Sequence, residues 1–199
     1  HDVDVSLGPE MKSTGEVLGL SVTYAEAMFK AILASGFKFP QKGAGVLLTV
    51  KDSDKSDLVP LADKLMAMGY ELYATGGTAN YLNRYGIPTS SVRKMEEEAP
   101  NVISYIAEGK VKMLVNTESN GTVMVNNGFR LRRKCIEHGV PTITSLDTLV
   151  AVIECLENQT QARDIIPYEL GQFSQIVKAT KNEIVPQNEA PPENKMLNK

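Results

Sequence analysis

Between Gly45 and Asn158 the chain alternates short apolar, β-rich runs with amphipathic segments, and this alternation limits its fold more than any other feature. The first run, GVLLTV from Gly45, is continuously apolar, as a strand covered on both faces requires. SDLVPLADKLMAMG follows as an amphipathic helix that stops at Gly69. YELYAT, IPTSSV, VKMLVNT and VPTIT read as four more strands. TANYLNRYG, NVISYIAEGK, a loop or hairpin running into the helix of RLRRKC, and SLDTLVAVIECLEN read as the helical segments. Strands separated by helical crossovers pair in parallel. The expected fold is therefore α/β, a doubly wound, mainly parallel five-stranded sheet flanked by helices.

The flanks differ in texture. In TYAEAMFKAILASG, Thr23 stands three residues before Glu26 in capping-box spacing, Met28, Phe29, Ile32 and Leu33 follow helical periodicity, and Gly36 suits the stop. FPQKG reads as a linker. Beyond Asn158 the sequence turns polar; PYELGQFSQIVKAT has helical character, and the Asn/Glu/Lys-rich end with Pro191-Pro192 reads as disordered. The expected division is an N-terminal region at 1–42, a central domain at 43–158 and a partly disordered polar tail at 159–199. The start lacks an initiator Met and any recognisable first element, and reads as the downstream piece of something longer.

Bulk properties exclude several classes. A net charge of −3 gives no basic footprint for nucleic acid. No apolar run is long enough for a membrane span, and the start has no secretory signal pattern. Cys135 and Cys155 are far apart and without metal spacing, so reduced thiols in a cytosolic protein are expected. No Ser/His/Asp or Cys/His constellation is suggested, because His138 is the only histidine besides the first residue. The expectation is no catalytic residue and no metal site.

What remains is a binding site at the carboxyl side of the sheet, where α/β folds keep their ligands. Thr75-Gly76-Gly77-Thr78 leaves the second strand and opens a helix. Without Cβ atoms, Gly76 and Gly77 let the backbone approach a ligand, and the helix start favours an anion. Thr75 and Thr78 add hydroxyls, and Lys55 and Lys94 add countercharge. Thr49 ends the first strand, and Asn116 and Thr117 end the fourth with the mixed donors and acceptors that a ribose needs. Plainer readings stand beside these. The glycine turn can be a tight turn with a threonine cap. KDSDK can be a solvated turn in which Asp52, Ser53 or Asp54 caps a helix. Lys94 can be a surface charge, KMEEEAPN a solvated loop, RLRRK a helix face or subunit contact, and His138 structural.

These residues carry a resemblance. LGPEMKSTGEVLGLS resembles the end of the second ATP-grasp half of the carbamoyl phosphate synthase large subunit. GVLLTVKDSDKSDLVPLADKLMAMGYELYATGGTANYL, VNTESNG and FRLRRKCIEHGVPTITSLDT resemble the allosteric domain that follows it, of methylglyoxal synthase-like fold, in the same order and spacing. The similarity runs over about residues 6 to 157. It implies a cytoplasmic, ATP-dependent ligase that makes carbamoyl phosphate from glutamine and bicarbonate for pyrimidine and arginine biosynthesis. It also implies a glutaminase small subunit as partner, oligomers formed through this domain, and ATP, Mg and K sites in the full-length enzyme upstream of this chain. The chain itself would be non-catalytic and would bind an effector. The family's effector phosphate site falls on Lys55, Thr75, Gly77, Thr78 and Lys94, with Gly76 beside it, and its ribose and base contacts fall on Thr49, Asn116 and Thr117. Thr144 matches an ornithine-type contact, whereas Thr142 stands where ornithine-responsive relatives carry an aromatic hydroxyl. The TGGT-type turn favours a nucleotide such as UMP or IMP over N-acetylglutamate. An autonomous methylglyoxal synthase-like lyase would need Gly-Gly-Asp and a histidine where this chain has KMEEEAPN. A purine cyclohydrolase domain would need a Gly-Arg-Val-Lys-Thr-Leu-His stretch that is absent. An oligomerisation module without effector binding would leave the Thr/Lys/Asn set unexplained.

Overall fold

The computed structural model of the 199-residue chain describes residues 16–117 and 127–157, together with Glu169, residues 171–173 and residue 175. The expected hairpin or loop over 118–126 lies outside the described residues, as does most of the tail from 158.

The elements run α1 (Tyr24–Ala34), β1 (Gly45–Thr49), a 3-10 turn (Asp52–Asp54), α2 (Lys55–Ala67), β2 (Glu71–Thr75), α3 (Gly76–Arg84), β3 (Ser90–Val92), α4 (Val102–Ala107), β4 (Val111–Asn116), α5 (Asn127–Glu137), β5 (Thr142–Ile143) and α6 (Leu146–Glu157). The strands form one sheet in the order β3-β2-β1-β4-β5, and every pairing is parallel. The chain builds outward from β1 in one direction through β2 and β3, then returns to the other side of β1 with β4 and β5. The doubly wound sheet expected from the alternation is therefore present, and all of it is parallel.

Two apolar layers hold the sheet. Val46, Leu47 and Leu48 of β1 are all 0% exposed. Alternate side chains point to opposite faces. Val46 and Leu48 meet Leu58, Leu65, Leu82, Leu149 and Ile153 from α2, α3 and α6, whereas Leu47 meets Val102, Ile106, Leu131 and Cys135 from α4 and α5. Helix α1 packs against α6. Phe29 stacks on Phe39 at 5.1 Å, and Ile32, Phe37 and Phe39 lie against the α2–α3–α6 layer.

Local chemistry sets the helix ends. Thr23 caps α1 by accepting the Glu26 N–H, but Glu26 turns its carboxylate to the Ser21 hydroxyl and to Lys30 at 2.8 Å, so only half of the expected capping box forms. The first five helices each end within two residues of a glycine with positive φ, from Gly36 at 82° to Gly139 at 66°. At α2 the Tyr70 N–H reaches back to the Leu65 carbonyl at 3.1 Å, a bond the left-handed Gly69 makes available. The glycines open a helix as expected: Gly76 and Gly77 are the first turn of α3, with Thr75 as the N-cap residue, so strand and helix meet without a loop. No described helix is long and apolar enough to cross a membrane.

Candidate functional site

Strand register places the candidates in one row. Thr49 pairs with Asn116, Leu48 pairs with Ala74 so that Thr49 is level with Thr75, and Thr75 pairs with Val92 just before Lys94. This row is the carboxyl edge of the sheet, and the gap between β1 and β4 is where the winding direction changes, the usual ligand crevice of such folds. A cleft of about 360 Å³ opens there. Thr49, Thr75, Lys94, Asn116 and Thr117 line it, joined by Lys51, Asp52, Glu96 and Arg132 and by the apolar walls of Val50, Val102 and Leu131.

The floor is stiffened by its own hydrogen bonds. Asn116, 6% exposed, donates from Nδ2 to the Thr49 carbonyl at 3.1 Å, and its Oδ1 accepts from Arg132 Nη1 at 2.7 Å. Thr117 Oγ1 accepts the Lys51 N–H at 3.1 Å and donates to the Asp54 carboxylate. For Asp54, burial acts to raise the pKa, but the hydrogen bonds from Thr117 and Ser53 and the nearby Lys51 outweigh it and hold the carboxyl below the usual carboxylate range. Asp54 occupies the N-cap position of α2 without capping it through its side chain, because that side chain is committed to Thr117, Ser53 and Lys51.

The features expected to favour an anion lie at the start of α3. Thr75 makes no side-chain capping bond, so the first-turn amides of a nine-residue helix stay open to a ligand. Lys55 Nζ stands 3.3 Å from where a Cβ on Gly77 would be, and is paired with Asp52 at 2.7 Å. The ammonium beside it holds the Asp52 carboxyl below its ordinary range. Lys94 is exposed and has no ion-pair partner among the described residues, while its N–H is bound by the Glu97 carboxylate. The Glu97 carboxylate is thereby tied to the backbone, and of the three adjacent glutamates only Glu96 lines the cleft.

Not every expected residue reaches the cleft. Thr78 is 3% exposed and lies in the first turn of α3 without lining the cavity; Gly76, Gly77 and Lys55 lie beside it and not in its wall. Thr144 is level with Asn116 but exposed on the far side of β5, outside the lining. Arg132, like Lys51 and Glu96, lines the cleft without having been among the expected site residues, RLRRK having been read as a helix face or subunit contact. One signal was available: Arg132 is one position from Leu131, which the helical period turns inward, while Arg133 and Lys134 pair outward with Glu137 at 3.2 and 2.7 Å. His138 hydrogen-bonds the Lys134 carbonyl and lies in a crevice at the amino end of the sheet, away from the row. Among the described residues there is no cluster of His, Cys, Asp or Glu able to hold a metal ion.

Residues 57–144 match the MGS-like domain. The matched segment of the MGS-like domain runs from α2 to the end of β5 and includes Thr75, Lys94, Asn116, Thr117 and Arg132; Thr49, Lys51 and Lys55 precede it. Among solved structures, methylglyoxal synthase from Elizabethkingia anophelis NUHP1 is similar at 18% identity, over 65% of this chain and 85% of that one, with a TM-score of 0.47. ForH is similar at 16% identity, over 71% of this chain and 94% of that one, with a TM-score of 0.44.

Proposed function

We propose that this MGS-like domain binds a nucleoside monophosphate effector of the UMP or IMP kind, as the C-terminal regulatory part of a carbamoyl phosphate synthase large subunit. The observation that carries the binding reading is the single row of Thr75, Thr49 and Asn116 beside the open N-terminus of α3, with Lys55 and Lys94 flanking it. The phosphate would sit on the α3 amides and the two lysines, and ribose and base would extend toward Asn116 and Thr117. The two ends are two strand spacings apart, about 10 Å. In this reading the chain does no chemistry. Carbamoyl phosphate synthesis would proceed at ATP-grasp sites fed by a glutaminase subunit in the cytoplasm, and assembly would use this domain. The effector would shift activity only through different affinities for two global states.

The test is thermal unfolding of the chain with UMP, IMP or inorganic phosphate. Nucleotide at a hundredfold excess over its dissociation constant should add about 2.7 kcal/mol of stability, a rise of several degrees. Lys55→Ala and Lys94→Ala should each remove most of that rise. If phosphate alone shifts the transition and neither nucleotide adds to it, the effector reading fails.

A further inference from the structure

A second and larger crevice, about 720 Å³, opens at the amino end of the sheet, opposite the cleft described above. Its volume falls in the range of small-ligand sites, about 300–1,000 Å³. We propose that this crevice is a separate binding site for an oligophosphate, a chain of two or more linked phosphate groups.

The walls carry an excess of one charge. Lys38 and Lys42 come from the loop before β1, Lys110 and Lys112 from the entry to β4, and Glu71 is the single carboxylate among the lining residues. Glu71 already accepts the Tyr73 hydroxyl at 2.7 Å, and Lys110 is paired with Glu108 at 2.7 Å. The ammonium groups of Lys38, Lys42 and Lys112 have no hydrogen-bond or ion-pair partner among the described residues. A concave surface lined by one sign of charge focuses its field and gathers counter-ions, even on a chain whose net charge is −3. Lysines beside helix C-termini can serve only the helix dipole, but Lys42 lies on a loop and Lys112 within a strand. The position of Lys112 is itself set by an irregularity. Gly45 pairs with Val111 and Val46 with Met113, so Lys112 is left without a partner on β1. Such a bulge re-aims a side chain, and here the ammonium lies across the bare backbone of Gly109, 3.1 Å from where a Cβ would be. The same walls choose the kind of anion. No arginine is among the described lining residues, so the planar fork that grips a carboxylate is missing. Lysines act as point charges, which suits phosphate oxygens facing several directions. Their placement on two segments calls for anionic groups at more than one point, which a single orthophosphate lacks.

The experiment is titration of the whole chain with inorganic tripolyphosphate, orthophosphate, citrate and CTP, at low ionic strength and without divalent cations, read by calorimetry and by amide NMR shifts. Tripolyphosphate should bind about tenfold more tightly than orthophosphate or citrate, and should move the amide signals of Gly109, Lys112 and Gly139. Lys42→Gln and Lys112→Gln, both at exposed positions, should each weaken it by about tenfold. Lys94→Ala, at the other end of the sheet, should leave those shifts in place. CTP separates two sources of the same chemistry: tighter binding than tripolyphosphate at the same signals points to a nucleoside triphosphate, and equal or weaker binding to a free oligophosphate. The proposal is overturned if tripolyphosphate moves only signals of the carboxyl edge, if citrate binds as tightly, or if both lysine variants bind it like the wild type.

Discussion

Thr117 ties the end of β4 to the turn after β1 through one hydroxyl, accepting the Lys51 N–H at 3.1 Å and donating a hydrogen bond to Asp54. Replacing it by valine keeps the shape but removes the acceptor of the Lys51 N–H and one of the donors to Asp54, so Thr117→Val should cost about 1–3 kcal/mol in urea unfolding. The same bond links stability to pH. Asp54 and Asp52 are both held below the ordinary carboxylate value, so their stabilisation is complete above the unfolded pKa of about 4 and is lost as pH falls through the folded values. Melting temperature should fall on the acid side of about pH 4, and Thr117→Val should make that fall shallower. The thiols give a separate check. Burial pushes Cys135 up to about 11 against a weaker hydrogen bond with Thr142, and burial with nearby Glu154 raises Cys155. A thiol reagent at pH 8 should leave both unmodified in the native chain and titrate both in denaturant; rapid native labelling of either would contradict the packing described.

At the scale of elements, α4 governs where Lys94 can stand. This helix has six residues, too few to persist without a cap. Asn101 supplies it. Its Oδ1 accepts the Ile103 and Ser104 N–H groups at 3.0 and 3.2 Å, Ser104 answers by accepting the Asn101 N–H at 3.3 Å, and Asn101 Nδ2 ties back to the Glu97 carbonyl at 2.8 Å. One side chain thus fixes both the helix start and the loop that follows Lys94. Asn101→Ala should cost about 1–2 kcal/mol and also weaken nucleotide binding several-fold, although Asn101 does not line the cleft. Unchanged binding alongside the stability loss would show that Lys94 keeps its place without the cap. Strands and helices were legible at this scale because burial on two faces and amphipathic periodicity write themselves into runs of residues. The meeting of β2 and α3 was less so. Gly76-Gly77 carries a turn signature, yet in context the two glycines continue directly into helix, where the missing side chain of Gly77 leaves room for Lys55.

Across the whole molecule, β1 is the element on which both layers depend. Leu48 belongs to the layer of α2, α3 and α6, and Leu47 to that of α4 and α5, each 0% exposed. Leu47→Ala and Leu48→Ala should each cost about 2–5 kcal/mol, with one cooperative transition in both, because the two layers share the strand. Two separate transitions would mean that the layers unfold independently. Gly45 begins the same strand in a space with no room for a side chain, since a Cβ would lie 2.2 Å from the Lys110 carbonyl and 2.6 Å from the Tyr73 ring. By itself the sequence determined the sheet-and-helix alternation, the helix stops, and the end of the sheet where the threonines, lysines and asparagine gather. These follow from burial, backbone freedom and spacing along a single segment. Only the tertiary structure decided that Arg132 faces the cleft while Arg133 and Lys134 pair with Glu137, that Asn116 is locked between Thr49 and Arg132, and that Thr78 is buried. Each of those depends on which distant residues come within hydrogen-bonding reach, and the packing of separate elements sets that distance.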